Sequence, residues 1–344
     1  MDDWGGNLSL HRKVFREARH ALARAGIGVD SLDIRIVRLM LQGNAFSPLN
    51  SNFRPSHAQI AKAIGADEDT VRYRVRKMHS SGFFGEWRLM VNPRIWGGGQ
   101  IAVLIDLGSD SPKEDILDKL KLVPGAVFLN SYYERLAITM DYDVDATLPR
   151  QIELVRRLSG STSIHVGRVP LPNCERKPTP GEWDVIRALR KNPRSTYSEL
   201  AKKTGLSGRT VRRRLSGIKQ QGFAFAWPTI DLRAVDDKIL VMLSVQCPWD
   251  RRNGIDEAIQ THLEPHLWHV MHMLPFGPRE MQPTGYDLAV SNIGEAREIL
   301  EWVRSILGVR VANIDLYENI YIDFCSYDEY LDGKLREMPT ARSR

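Results

Sequence analysis

Apolar residues fall at i, i+4 and i+7 in two short stretches: Val71, Val75 and Met78, then Val211, Leu215 and Ile218. The face opposite each seam is polar and largely cationic, so both stretches read as helices that bury one stripe and leave basic side chains in solvent. A glycine (Gly65, Gly205) and a capping residue (Asp67, Ser207) precede each of them. Before that turn come Ile60, Ala61 and Ile64 in the first stretch, at helical spacing. Farther upstream, Ile36, Leu39 and Met40 mark one more helix, matched by Val185, Ile186 and Leu189. Glycine suits the turn because it reaches positive φ without a Cβ clash, and Asp or Ser accepts from the orphan amides of the helix that follows. Gly82 and Gly222 are expected to end the cationic helices.

The two stretches are the same pattern written twice. Residues 56–84 align with 196–224 at a constant offset of 140 with nine of 29 positions identical, among them Arg72/Arg212 and Arg74/Arg214. Average composition gives roughly two identities by chance. Such self-similarity implies one unit used two times. Three helices with a basic last helix predict a helix-turn-helix, whose second motif helix enters the major groove. Arginine fits that task because its planar fork pairs with phosphate or with the O6/N7 edge of guanine. The residues expected at DNA are Arg209, Arg212 and Arg213, with Thr210 and Ser207 beside them, and then Arg72, Tyr73 and Arg76.

Beyond each basic helix the period changes to that of strands. Residues 83–93 and 223–231 read as a strand after each module. The order strand, helix, strand, strand, helix, strand then runs through 101–107, a helix around Ile116 and Leu120, 126–130, 136–140, a helix around Leu148 and Val155, and 163–166. It returns as 239–245, a helix at 255–262, 267–273, 287–290, a helix at 294–307, and 309–316. The fold class expected is α+β: two winged helix-turn-helix modules alternating with two ferredoxin-like βαββαβ domains. The boundaries expected are 1–30 for a basic arm, 31–98 and 176–236 for the modules, 99–175 and 237–326 for the sandwiches, and 327–344 for a tail that packs locally and then frays.

This order, with Leu32-Asp33-Ile34-Arg35-Ile36-Val37 and Asn92-Pro93 in the first copy and Leu206-Ser207 with Thr210-Val211 in the second, resembles the Lrp/AsnC family of feast/famine regulators. The likeness spans about residues 31–325. It implies a DNA-binding transcriptional regulator whose ferredoxin-like domains bind an effector such as an amino acid and pair with one another, here within one chain. Thr284-Gly285-Tyr286-Asp287 resembles the family's turn near the effector pocket, so Gly285, Tyr286 and Asp287 are the expected effector residues. An ordinary hairpin turn is the plainer alternative. The first copy carries Tyr132-Tyr133-Glu134-Arg135 at the place that aligns with it. Some proteins resembling this family are sirohaem decarboxylases, also built from two halves; a tetrapyrrole enzyme is one competing reading, and a ligand sensor with a degenerate DNA-binding module is the other.

Charge separates the copies. The chain carries +6 overall, and the window 196–224 holds +6 where 56–84 holds +2. Affinity for the phosphate backbone grows with such cations, so the second copy is the stronger electrostatic grip. Asp67, Glu68 and Asp69 begin the first basic helix. They suit its dipole but oppose phosphates. Either they read cytosine N4 or the first copy binds DNA weakly.

Residues 10–25 add a basic amphipathic stretch, read equally as a phosphate contact or as a packed helix. Residues 44–55 form an insertion of the first copy. Gly97, Gly98 and Gly99 are expected to be a flexible link between module and sandwich. His262, His266, His269 and His272 crowd one stretch, but alternation on a strand sets His269 opposite His266 and His272, against a common metal site. Three scattered cysteines, Cys174, Cys247 and Cys325, have no zinc spacing and suit a reduced compartment. Phosphate-loop, dinucleotide and nucleophile-elbow motifs are missing. The expectation is a cytoplasmic non-enzyme without cofactor or metal, with duplex DNA as partner and no membrane.

Overall fold

The computed structural model describes residues 27–41, 55–108, 111–274, 283–321 and 325–340. The basic stretch at 10–25, nearly all of the insertion and residues 275–282 lie outside the described residues. Along the chain, α1 (Ser31–Leu41), α2 (His57–Ile64) and α3 (Glu68–Ser80) build the first helix-turn-helix and lead into β1 (Phe84–Val91). The first sandwich follows as β2 (Gly99–Asp106), α4 (Lys113–Leu120), β3 (Ala126–Tyr132), β4 (Arg135–Tyr142), α5 (Leu148–Ser159) and β5 (Ile164–Arg168). The second module is α6 (Pro180–Leu189), α7 (Tyr197–Thr204), α8 (Gly208–Gln220) and β6 (Ala224–Ile230). The second sandwich is β7 (Ile239–Gln246), α9 (Arg252–His262), β8 (Leu267–His272), β9 (Thr284–Val290), α10 (Ile293–Ser305) and β10 (Val311–Tyr321), and α11 (Cys325–Glu337) comes last. The architecture is α+β, with winged modules alternating with ferredoxin-like domains.

The sandwich strands run in the order β5-β2-β4-β3-β10-β7-β9-β8. Each half therefore has its fourth strand first, then its first, third and second. The halves join edge to edge where β3 pairs antiparallel with β10, opposing Tyr132 to Tyr317. At the far ends Arg168 and Leu274 exchange two backbone hydrogen bonds of 3.0 and 2.7 Å, so the outermost strands meet there. Joining edges removes rows of unpaired backbone groups that would otherwise invite other chains. In the second half Val241, Leu243, Tyr286 and Leu288 pack under α9 and α10, against Ile255, Ile259, Ala296, Ile299 and Val303. Met242, Trp268, Met271 and Ala289 belong instead to a larger core shared with Phe128, Leu129 and Trp227.

The strands after the modules also pair, but with each other. β1 and β6 form an antiparallel ribbon with Trp87 opposite Pro228 and Arg88 opposite Trp227, a register that exchanges the copies under the offset of 140. Asn92 donates its backbone N–H to the Phe223 carbonyl and Asp231 donates to that of Phe83. The buried Asn92 side chain donates to the carbonyls of Pro172 (3.0 Å) and Gly222 (2.9 Å). The asparagine before Pro93 thus pins one module to the turn of the other.

Two expectations change. Two of the three linking glycines are packed, not slack: a Cβ on Gly98 would lie 1.9 Å from the Tyr142 carbonyl oxygen, and one on Gly99 would lie 2.5 Å from the Tyr142 hydroxyl. Gly98→Ala is expected to cost on the order of 1–3 kcal/mol by overpacking, seen as a lower denaturation midpoint. The helix expected at 294–307 ends early, because α10 stops at Ser305 and Leu307 is 83% exposed. The tail is helical through residue 337. Tyr327, Leu331 and Leu335 are buried, and α11 is held by Tyr330 and Lys334 on Asp143 (2.7 and 2.8 Å) and by Arg190 on Asp328 and Asp332.

Under α11 lies a buried polar pair. Gln100 and Asp141 are opposite each other on β2 and β4, and the Gln100 amide donates to Asp141 Oδ1 at 2.8 Å. Burial pushes the Asp141 carboxyl up to about 8, with neighbouring Asp143 adding to the rise and the Gln100 bond opposing it. Gln100 Oε1 is buried and has no donor.

Candidate nucleic-acid interface

Helix α8 is built as its spacing requires. Val211, Leu215 and Ile218 are buried against the module, each worth about 1.5–3 kcal/mol of transfer free energy. Ser207 caps the helix, accepting from the Thr210 amide at 3.2 Å, and the two hydroxyls lie 3.0 Å apart. Both residues therefore serve the helix start at the solvent edge of the basic face. Arg209, Arg212 and Arg213 are exposed on that face, and no carboxylate among the described residues pairs with them. The Arg212 guanidinium lies 5.2 Å from the ring centroid of Tyr197, the first residue of α7. Such a contact orients a cation without neutralising it.

The identical arginine next in the repeat has another task. Arg214 points inward and donates to Thr179 Oγ1, the cap of α6, at 3.0 Å. Its counterpart Arg74 reaches Asp30 (2.5 Å) and the buried Asp33 (3.0 Å) at the start of α1. In each module this residue locks the last helix to the first. Glu182 completes the second lock: Arg176 grips both its oxygens at 2.7 Å, and Thr179 donates from its amide and hydroxyl at 2.8 Å. Burial alone would raise the Glu182 carboxyl, but these bonds outweigh it and hold it below its ordinary value.

Helix α3 has the same seam and a different surface. Asp67 caps it, accepting from the Thr70 amide at 2.7 Å. Arg72 is pinned by its own helix, Nη2 to Glu68 Oε1 and Nη1 to Asp69 Oδ1, both at 2.6 Å. Tyr73 is 66% exposed, and Arg76 is exposed too. The modules lie side by side, Arg194 of the second stacking over Trp87 of the first at 4.7 Å.

The residues expected at an effector are not in a turn. Thr284, Gly285, Tyr286 and Asp287 lie inside β9, between β7 and β8, and all are buried. Strand alternation sends them to two faces. Gly285 borders Met242 and Met271 on the inner face. There Asp287 accepts from the Tyr317 hydroxyl (2.8 Å) and pairs with His269 Nδ1 (2.6 Å). Tyr286 points the other way and donates to Asp256 at 2.8 Å. The counterpart in the first copy is Ala137, Ile138 and Thr139 rather than Tyr132 to Arg135, because Val103 opposes Ile138 as Leu243 opposes Tyr286.

The histidines have separate partners. His262 stacks on Trp302 at 3.8 Å, His266 reaches Glu295 at 3.8 Å, and His272 sits between Arg252 (3.1 Å) and Asp256 (3.6 Å). Burial lowers the His272 pKa. No group of three or more metal-ligating residues forms among the described residues, and none of the described helices is long and apolar enough to cross a membrane.

An open cleft of about 560 Å³ was not anticipated. It lies between α1 and α9, lined by Arg38, Asn253, Asp256, Glu257, Gln260, Thr261 and Glu264. Arg38 donates to Gln260 at 3.0 Å and Arg35 pairs with Glu264 at 3.0 Å. The only signal in the sequence was the polar run of α9 at helical spacing, which reads equally as a solvated face.

Comparison with known proteins agrees with this picture. Residues 182–216 match the winged helix-turn-helix DNA-binding family model. Over 121 residues the chain is 28% identical to the HTH-type transcriptional regulator Ptr1 of Methanocaldococcus jannaschii, covering 34% of this chain and 76% of that protein. The siroheme decarboxylase NirDL shares the fold with a TM-score of 0.54 at 12% identity, over 89% of this chain and 98% of its own. AsnC of E. coli aligns over 42% of this chain and 91% of its own with a TM-score of 0.29 at 16% identity, too low to argue from. The second module is thus a winged helix-turn-helix of the DNA-binding class, and the sequence relative supports a DNA-binding regulator.

Proposed function

We propose that this protein is a transcriptional regulator of the Lrp/AsnC type that binds duplex DNA by inserting α8 into the major groove. The observation that carries the reading is the exposed row of Arg209, Arg212 and Arg213 on a helix whose opposite face is buried. The protein acts as a binder and not as an enzyme. The symmetric β1–β6 ribbon sets the two modules about a local twofold.

A small effector with both charges, such as an amino acid, is the proposed modulator. Its site is the cleft rather than the inner face at Gly285 and Asp287. Tyr286 touches that cleft through Asp256. Arg38 suits a carboxylate and Asp256, Glu257 and Glu264 suit an ammonium group. A ligand there would touch α1 of a DNA-binding module and α9 of a sandwich together. Further pairing of chains through the ferredoxin-like domains is part of the same reading.

The test is a titration of the full chain against random-sequence duplex at low and at higher salt. Binding that weakens steeply with salt is the expected result, since each neutralised phosphate contributes about −0.9 to the slope of log K against log salt. Absence of binding at low salt would transfer weight to a tetrapyrrole enzyme, to be checked by a spectrum with added haem.

A further inference from the structure

We propose that the two recognition helices are unequal by construction: α8 grips the DNA backbone, while α3 is held off it by a clamp of Glu68 and Asp69 on its own Arg72. This rests on the DNA-binding reading of the second module and adds how that binding is divided within the chain.

The argument is a comparison at matched positions. Arg72 and Arg212 are the same residue of the repeat. In α8 the residues three and four places earlier are Arg209 and Gly208, so nothing in that turn opposes Arg212. In α3 those places hold Asp69 and Glu68, and both carboxylates bind the guanidinium at 2.6 Å. The first of the two matched sets, Asp67, Glu68, Asp69 and Arg72, carries net −2, whereas Ser207, Gly208, Arg209 and Arg212 carry +2.

Four charges of difference at one helix start decide whether a phosphate is attracted or repelled at close range. Each exposed pair stabilises the fold by only about 0–1 kcal/mol. The clamp therefore matters less for stability than for what it occupies, since both arms of the Arg72 fork are taken. The remaining aromatic position also differs. Arg212 leans on Tyr197 at 5.2 Å, and the residue matching Tyr197 in the first copy is His57. Arg212 is thus oriented and still cationic, while Arg72 is oriented and compensated.

The experiment uses the full chain and a random-sequence duplex, titrated over a series of salt concentrations. The variants are Arg72→Ala, Glu68→Gln with Asp69→Asn, and all three together. Asp67 stays in place, so α3 keeps its cap. The proposal expects Arg72→Ala alone to change affinity less than about twofold and to leave the slope of log K against log salt unchanged. It expects the Glu68→Gln/Asp69→Asn pair to bind tighter with a slope steeper by about 0.9, and Arg72→Ala in that background to cancel the gain.

A loss of about 0.9 in slope on Arg72→Ala alone would overturn the proposal, because α3 would then already hold a phosphate. A gain that survives removal of Arg72 would also overturn it, leaving simple repulsion as the cause. Failure of the underlying reading looks different: neither the unaltered chain nor any variant would show salt-dependent binding.

Discussion

Asp141→Asn is expected to stabilise the protein at neutral pH and to flatten its stability profile. In the unfolded chain the Asp141 carboxyl ionises near 3.8, and in the folded chain burial holds it protonated up to about 8. Between those values the folded state keeps a proton that the unfolded state has lost. By linkage, the group's contribution is largest below 3.8, falls steadily as pH rises, and is fully lost above about 8. At pH 7 the loss is on the order of 4 kcal/mol. Asparagine cannot ionise, so the loss disappears. Its amide also supplies a donor beside Gln100 Oε1, which has none. A protonated Asp141 would serve the same atom, which is the physical sense of an acid paired with an amide in this place. Chemical denaturation at about pH 5 and about pH 8 measures the effect. An equal decline in the two proteins would mean that Asp141 is not the titrating group.

Arg212→Ala with Arg213→Ala is expected to abolish most DNA binding. Each arginine contact to guanine or phosphate is worth about 1–3 kcal/mol, so the double change should weaken binding at least about thirtyfold at low salt. The slope of log K against log salt should fall by about 1.8 if both meet phosphates, and by less if one reads a base. Both side chains are exposed, so folding should be untouched, and an unchanged denaturation curve is the control. An unchanged salt slope would remove α8 from the interface. Arg214→Ala gives the contrast. It should lower stability through the lost contact to Thr179, and any binding defect should follow from unfolding.

That contrast shows where repeat-based reading stops. Arg72, Arg74, Arg212 and Arg214 look alike in the repeat, yet two point to solvent and two lock their modules. The difference follows from position around the helix. Val211 and Leu215 define the buried seam, and Arg214 flanks it closely enough to reach the cap of α6. The capping residues Asp67 and Ser207 were legible for a related reason, since one side chain must meet one amide three residues on. The family resemblance places Gly285 in a turn. In the fold it sits in a central strand, where a Cβ would lie in ordinary contact with Met242 and Met271. Gly98 and Gly99 differ likewise, close-packed on Tyr142 where slack is expected.

Local order therefore determined much of this protein by itself. Apolar periodicity set the helices and strands, the offset of 140 set the paired modules, and the order of elements set the ferredoxin-like halves. These follow from interactions within a few residues, or from the need of every amphipathic element to bury one face. Only the tertiary structure decided that β3 joins β10, that β1 pairs with β6, that α11 is tied to Asp143, and that Arg38 and Asp256 face one cleft. Those arrangements depend on which edges and faces remain unsatisfied once the local elements have formed. Their partners lie up to more than 200 residues apart, beyond the reach of any local pattern.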